Sequence, residues 1–149
     1  MKEKVIGFFG LGNMGMPICQ GMVKCGYKVI LPCFRPARTQ ERENAIKEML
    51  EQGAQAASSQ KEMIEQCDIF MLSLPKSQQV EELVLAEDGI LKNAKPGSAI
   101  IDMTSADAAS TRKLAALLEE KNIDILDCPV SGGVGGAAGF GQRAVAGDL

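Results

Sequence analysis

The fold is decided near the start of the chain by the turn Gly10-Leu11-Gly12-Asn13-Met14-Gly15. It follows an apolar run of strand size, Val5–Phe9, and opens a helix-like stretch at residues 14–25. In a G-x-G-x-x-G turn the first glycine permits a tight turn, the second lets the backbone approach a pyrophosphate, and the third lets the helix pack close to the sheet. The exposed amides at the helix N-terminus favour an anion. The spacing and its placement therefore predict dinucleotide binding, with a glycine-rich turn that holds no ligand as the alternative.

Short apolar runs alternate with longer amphipathic segments along the rest of the chain. The predicted strands are 5–9, 29–31, 69–74, 98–101 and 123–126, and the predicted helices are 14–25, 39–52, 61–66, 78–85 and 108–121. Several runs are apolar without alternation, as in strands buried on both faces of a parallel sheet. This order predicts right-handed βαβ units and an α/β fold of the Rossmann type, a doubly wound parallel sheet in three layers. Since we find no linker, residues 1–149 are predicted to form one dinucleotide-binding domain.

Composition narrows the function classes. The 149 residues carry a net charge of −3 without a basic cluster, which argues against nucleic-acid binding. There is no histidine, so a Ser-His-Asp triad and a His-containing zinc site are excluded, and no metal site is predicted. The five cysteines form no CxxC pair, and no apolar run approaches the roughly 20 residues that cross a membrane. We therefore expect a reduced, cytoplasmic protein that binds neither nucleic acid nor membrane.

The end of the second predicted strand bears on the choice of cofactor. An NAD-binding fold normally carries an acidic residue there to hold the ribose, but the first acid after residue 31 is Glu41. Arg35 and Arg38 instead offer planar guanidinium groups, which suit a 2′-phosphate. The pattern favours NADP over NAD, with two ordinary solvated arginines as the alternative.

Three further stretches follow the glycine turn in a fixed order. They read Leu-Ser-Leu-Pro at 72–75, Gly-Ser-Ala-Ile-Ile-Asp-Met-Thr-Ser at 97–105, and Asp-Cys-Pro-Val-Ser-Gly-Gly-Val at 127–134. Together with Gly-Phe-Phe-Gly-Leu-Gly-Asn-Met-Gly at 7–15, they resemble the β-hydroxyacid dehydrogenases, a family that includes 3-hydroxyisobutyrate dehydrogenase and tartronate semialdehyde reductase. The stretch at 127–134 is the most specific, because a dinucleotide-binding fold alone does not require it.

The resemblance implies roles for individual residues. Residues 10–15 would bind the pyrophosphate, Leu74 and Pro75 would line the cofactor, and Ser105 would contact its nicotinamide half. The segment Ser131, Gly132 and Gly133 would hold a substrate carboxylate through a hydroxyl and backbone amides, since unobstructed N–H groups can converge on an anion. Without the resemblance, that segment would be interpreted as a plain loop. The reaction implied is hydride transfer between NADP or NAD and a small 3-hydroxy acid or semialdehyde.

The sequence also departs from the family pattern. Cys33-Phe34-Arg35-Pro36 stands where the family often has an Asn-Arg-Thr trio, and the residues beyond 137 are more polar than the family's buried strand. The family's catalytic lysine lies in a helical second domain, and no lysine here has the glycine-rich surroundings of that residue. We therefore expect no catalytic residue in this chain. The chain is interpreted as the N-terminal NAD(P)-binding domain of such an enzyme, truncated and inactive alone, with homo-oligomers expected for full-length members.

Two other functions remain open at this point. An imine reductase shares the plan of the first domain, although amides that converge on an anion suit an acid better than an imine. A non-catalytic module that binds dinucleotide for sensing or assembly would need only the glycine turn.

Overall fold

A computed structural model describes residues 3–138 and 143–144. The main strands are β1 (Val5–Phe9), β2 (Lys28–Leu31), β3 (Gln55–Ala56), β4 (Ile69–Leu72), β5 (Ala99–Asp102) and β6 (Asp124–Asp127). They form one sheet in the order β3-β2-β1-β4-β5-β6, and every pairing in it is parallel. This is the order of a doubly wound dinucleotide-binding fold, so the predicted fold class is confirmed.

Helices connect the strands and cover both faces of the sheet. They are α1 (Gly15–Lys24), α2 (Gln40–Glu51), α3 (Gln60–Gln66), α4 (Ser77–Leu85), α5 (Ile90–Asn93), α6 (Ala108–Glu119) and α7 (Gly133–Ala138). Beyond β6, the short strands β7 (Val130–Ser131) and β8 (Arg143–Ala144) pair antiparallel on either side of α7. None of the helices among the described residues is long and apolar enough to cross a membrane.

The sheet separates two apolar cores, and alternation along each strand feeds both. In β1, Ile6 and Phe8 pack with α1 and α2, whereas Phe9 packs on the other face with α3 to α6. In β4 the pattern repeats, because Phe70 faces the second core and Met71 the first. These side chains are buried on both faces, which explains why the strands read as continuous apolar runs. The three predicted layers are therefore present.

Most predicted elements lie within two residues of the observed ones. Five elements were not predicted: β3, which is two exposed residues long, α5, which is a single turn, and the short elements β7, α7 and β8 that follow the main sheet. The expectation that the chain departs from the family beyond residue 137 falls mostly outside the described residues. Only residue 138 and the short strand β8 can be located there.

Candidate functional site

The candidate site lies at the carboxyl edge of the sheet, between β1 and β4. The strand order reverses at this point, since the chain runs from β1 to β2 in one direction and from β4 to β5 in the other. Ligands of open α/β sheets bind in the crevice that such a reversal leaves. Because all six strands are parallel, the loops that follow β1, β4, β5 and β6 meet at this same edge. Those loops hold most of the predicted site residues.

The three glycines of the turn are required for different reasons. At Gly10 the backbone has φ +99°, and a Cβ there would lie 2.0 Å from the backbone oxygen of Ser73. At Gly15 a Cβ would lie 1.8 Å from the backbone oxygen of Gly10. The fold itself therefore needs glycine at both positions. At Gly12 the backbone is not left-handed, and a Cβ would have no described atom within 4 Å. The open space above Gly12 is where a pyrophosphate could approach the backbone, so this cradle fits a dinucleotide.

The N-terminus of α1 is left available for an anion. Its N-cap, Met14, makes no side-chain cap hydrogen bond, and the first turn holds no acidic residue. By contrast, the hydroxyls of Thr39 and Ser59 cap α2 and α3, and the carboxylate of Asp107 caps α6. Free amides and the positive end of the helix dipole together attract phosphate. An uncapped start is what a phosphate-binding helix requires; α4 is also uncapped, at Lys76, but only α1 follows the glycine turn.

The loops after β4 and β5 come together beside the glycine turn. Leu74 lies next to Gly10, since its Cδ2 would be 3.3 Å from a Cβ built there. Its backbone N–H donates to the hydroxyl of Thr104, with a nitrogen–oxygen distance of 3.1 Å. Ser105 follows Thr104 directly and is exposed, as is Pro75. The structure thus places these three predicted cofactor residues, Leu74, Pro75 and Ser105, on adjacent loops at the edge of the crevice.

A buried carboxylate beneath these loops was not predicted. Asp102 ends β5 and is 1% exposed, and its Oδ1 accepts from the backbone N–H of Thr104 at 2.9 Å. Burial raises the pKa of Asp102, hydrogen bonds from Thr104 oppose the shift, and the neighbouring carboxylate of Asp127 adds to it. The signal in the sequence is a single acid at the end of an apolar strand. That signal does not reveal its partner.

One of the two arginines predicted to meet a 2′-phosphate, Arg35, lies against α3. Arg35 donates to Oε1 of Gln60 at 3.2 Å and lies over the ring of Phe34, so it faces α3. Arg42, which was not predicted, donates from Nη2 to Oδ1 of Asn13 at 3.1 Å. This contact joins the first turn of α2 to the glycine turn. Only the observed structure reveals it, because 29 residues separate the two partners.

The predicted substrate segment forms a tight turn at the end of β7. Gly132 has φ +112° and Gly133 has φ +64°, conformations that favour glycine. Ser131 and both glycines are exposed, and α7, which begins at Gly133, packs against α1. The segment therefore lies on the same side of the sheet as the glycine turn. Two of the lysines lie in surface ion pairs: Lys92 with Glu87, and Lys95 with Asp68.

Comparison with known proteins identifies relatives of this arrangement. A family model described as the NAD-binding domain of 6-phosphogluconate dehydrogenase matches residues 5–147. The mitochondrial 3-hydroxyisobutyrate dehydrogenase of Mus musculus is 39% identical over 132 residues, which are 89% of this chain and 37% of that protein. An NAD-dependent L-serine dehydrogenase of Pseudomonas aeruginosa is 36% identical over 91% of this chain and 43% of its own length. The chain thus spans less than half the length of these relatives.

Solved structures agree with the sequence matches. A 3-hydroxyisobutyrate dehydrogenase from Salmonella typhimurium has a TM-score of 0.80 at 30% identity, over 96% of this chain and 47% of its own. An imine reductase from Myxococcus stipitatus has a TM-score of 0.74 at 18% identity, over 91% of this chain and 43% of its own. Identity at that level shows a shared fold alone. The predicted resemblance to the hydroxyacid dehydrogenases is confirmed, and it concerns their N-terminal part.

Proposed function

The chain belongs to the family of the NAD-binding domain of 6-phosphogluconate dehydrogenase, and we propose that it is the cofactor-binding part of an oxidoreductase that acts on a small 3-hydroxy acid or its semialdehyde. The main support for this proposal is Gly12. The fold does not require glycine at this position, but a ligand that approaches the backbone there does require it. The substrate class is supported by the names of the relatives. Both 3-hydroxyisobutyrate and L-serine are small acids with a hydroxyl on the third carbon.

The cofactor would lie across the crevice with its pyrophosphate over the glycine turn. The backbone amides of residues 12–15 would hold the phosphates at the start of α1, where no side chain competes for them. Leu74 and Pro75 would shield the nicotinamide half from water, and Ser105 would hydrogen bond to it. When bound, the nicotinamide supplies the hydride chemistry. The contribution of this chain is to bind and orient it.

The turn after β7 would hold the carboxylate of the substrate. Successive N–H groups in a turn that includes left-handed residues can point to one side and form an anion-binding concavity. The positive φ angles of Gly132 and Gly133 support such an arrangement, and the exposed hydroxyl of Ser131 adds a donor. An acid therefore suits this segment better than an imine, which has no anionic group to be recognised.

We propose NADP as the preferred cofactor, and Arg42 as the group closest to its 2′-phosphate. The support is the contact between Arg42 and Asn13 within the glycine turn, together with the absence of an acid where an NAD ribose would need one. Arg35 and Arg38 were the residues that the sequence singled out, and Arg35 is the one with a described contact. The Arg35 guanidinium is engaged by Gln60 on α3, so Arg35 would have to exchange that partner for a phosphate.

The chemistry of the whole protein requires more than these residues. We propose that a lysine outside the 149 residues handles the proton that accompanies hydride transfer, since the family resemblance places the catalytic lysine in a second domain and this chain spans less than half the length of its relatives. Homo-oligomers of the whole enzyme and a reducing compartment, the cytoplasm, belong to the same proposal. The five cysteines, all within the described residues, are free, which supports a reducing environment.

Titration of the 149-residue chain with NADPH and with NADH, followed by nicotinamide fluorescence, tests the proposal. We expect saturable binding that is tighter for NADPH. A preference for NADH would retain the cofactor domain and refute the role of the arginines. If neither cofactor binds, the proposal that this chain holds the cofactor by itself is wrong.

A further inference from the structure

A chain of hydrogen bonds joins the loops that follow β4 and β5. The carboxylate of Asp102 accepts from the backbone N–H of Thr104 at 2.9 Å. The hydroxyl of Thr104 accepts from the backbone N–H of Leu74, which is 30 residues away in sequence. Asp102 and Thr104 are 1% and 2% exposed, so neither side chain is in contact with solvent or available to a ligand.

The backbone hydrogen bonds of the sheet end just before these loops reach the crevice. The last ladder bonds run from Ser73 N to the Phe9 oxygen, at 2.9 Å, and from Met103 N to the Leu72 oxygen, at 2.8 Å. Beyond them, Leu74 is fastened through the hydroxyl of Thr104, and Pro75 has no N–H to donate. Two side-chain hydroxyls therefore join the loops: that of Thr104 beside the crevice, and that of Ser77, which accepts from the Asp107 N–H at 2.7 Å where the loops run into α4 and α6.

Packing alone does not explain a polar pair at this position. A buried carboxylate is costly to desolvate, and apolar residues of similar size often stabilise a core better than a buried charge does. Valine has nearly the shape of threonine but would leave the Leu74 N–H without its acceptor. The pair therefore satisfies the Leu74 N–H and, in doing so, fixes the geometry of the two loops.

We propose that Asp102 and Thr104 are positioning residues for the nicotinamide half of the cofactor, acting through Leu74 and Ser105. This rests on the proposed function, because it assumes that the two loops face the nicotinamide. The adenosine half, which lies over the glycine turn, does not depend on this pair.

Paired ligands that differ only in the nicotinamide test the proposal on the full 149-residue chain. The probes are NADPH and 2′-phospho-ADP-ribose, which lacks the nicotinamide, with NADH and ADP-ribose added in case the chain prefers NAD. We expect Thr104→Val to weaken NADPH binding at least 10-fold and to abolish the change in nicotinamide fluorescence. Its affinity for 2′-phospho-ADP-ribose should stay within about 2-fold of the original, and Thr104→Ser should restore NADPH binding.

Thr111→Val is the matched control. Thr111 is also 2% exposed, but its hydroxyl donates only within its own helix, to the Asp107 oxygen at 3.3 Å. It should leave both affinities unchanged. Equal loss of both ligands in Thr104→Val, or no loss of NADPH, would overturn the proposal. If Thr104→Val does not fold, Asp102→Asn decides, since its amide has one acceptor oxygen where the carboxylate has two, and it should weaken NADPH binding selectively. If the unmodified chain binds none of the four ligands, the proposed function is wrong, and this inference, which rests on it, is wrong as well.

Discussion

Replacing Gly12 by alanine tests the effect of this position on ligand binding separately from its effect on the stability of the fold. The new methyl group would have no described atom within 4 Å, and the backbone there is not left-handed. Glycine-to-alanine changes at compatible positions stabilise proteins by about 0.4–1 kcal/mol through the unfolded chain. For a chain of this size that corresponds to a rise in Tm of about 1–4 °C. The free protein should therefore be as stable as before, or slightly more stable.

Cofactor binding should respond in the opposite direction. The methyl group would occupy the space through which a phosphate reaches the backbone amides, and each charged hydrogen bond lost there is worth about 1.5–3 kcal/mol. Gly12→Ala should thus weaken NADPH binding roughly 10- to 150-fold. Fluorescence titration measures the affinity, and differential scanning calorimetry measures Tm on the same preparation. Unchanged NADPH affinity in this variant would refute the assignment of the open space to the cofactor.

Two other glycines supply the controls. Gly26 has φ +84° with no described atom near its Cβ position, so Gly26→Ala meets backbone strain of about 1–2 kcal/mol and no steric overlap. It should lower Tm by about 2–8 °C and leave NADPH affinity unchanged. Gly10→Ala combines similar strain with overlap against the Ser73 oxygen, which adds about 1–3 kcal/mol. That variant should lose both stability and binding.

Three further predictions concern other parts of the chain. Arg42→Ala should weaken the binding of NADPH roughly 10- to 150-fold and that of NADH less than about 2-fold in the same titration. Arg35→Ala should change neither affinity. The reverse pattern would assign the 2′-phosphate to Arg35. Thr39→Ala removes the cap of α2, and calorimetry should show a Tm lower by about 2–4 °C, from about 1 kcal/mol; an unchanged Tm would contradict the role of the cap. The N–H of Val5 holds the pKa of Asp68 below its ordinary value. The Asp68 carboxylate therefore stabilises the fold above about pH 4, and this contribution is lost as the pH falls through the lowered pKa. Asp68→Asn should accordingly be less stable at pH 6 in urea unfolding, by a margin that shrinks toward pH 3; a constant margin would show that ionisation is not the cause.

The elements that could be predicted from sequence are those whose local pattern determines them. Val5–Phe9 was predicted with its observed bounds, because a continuous apolar run before a glycine turn has few other interpretations. The strand β3 consists of Gln55 and Ala56, both exposed, and owes its existence to pairing with β2. No local pattern announces a strand of that kind.

The same distinction applies to the site. The glycine turn is a local motif, and its spacing alone identified it. The contacts of Arg42 with Asn13 and of Thr104 with Leu74 span 29 and 30 residues, so they depend on which strands become neighbours. Periodicity places residues on strands and helices but does not tell which distant side chain a loop amide will meet.

The residues at the crevice divide into a set that builds it and an exposed set that faces it. Gly10, Gly15 and Thr104 fix the loops through contacts with other backbone segments, whereas Asn13 and Ser105 are exposed at the carboxyl edge. The contacts named for the building set are made between backbone segments of this chain. The helices of the two halves of the fold cover opposite faces, so the opening between β1 and β4 is formed by the sheet itself. A dinucleotide should therefore find a formed site on this chain alone, and for that reason the absence of binding would count against the proposal.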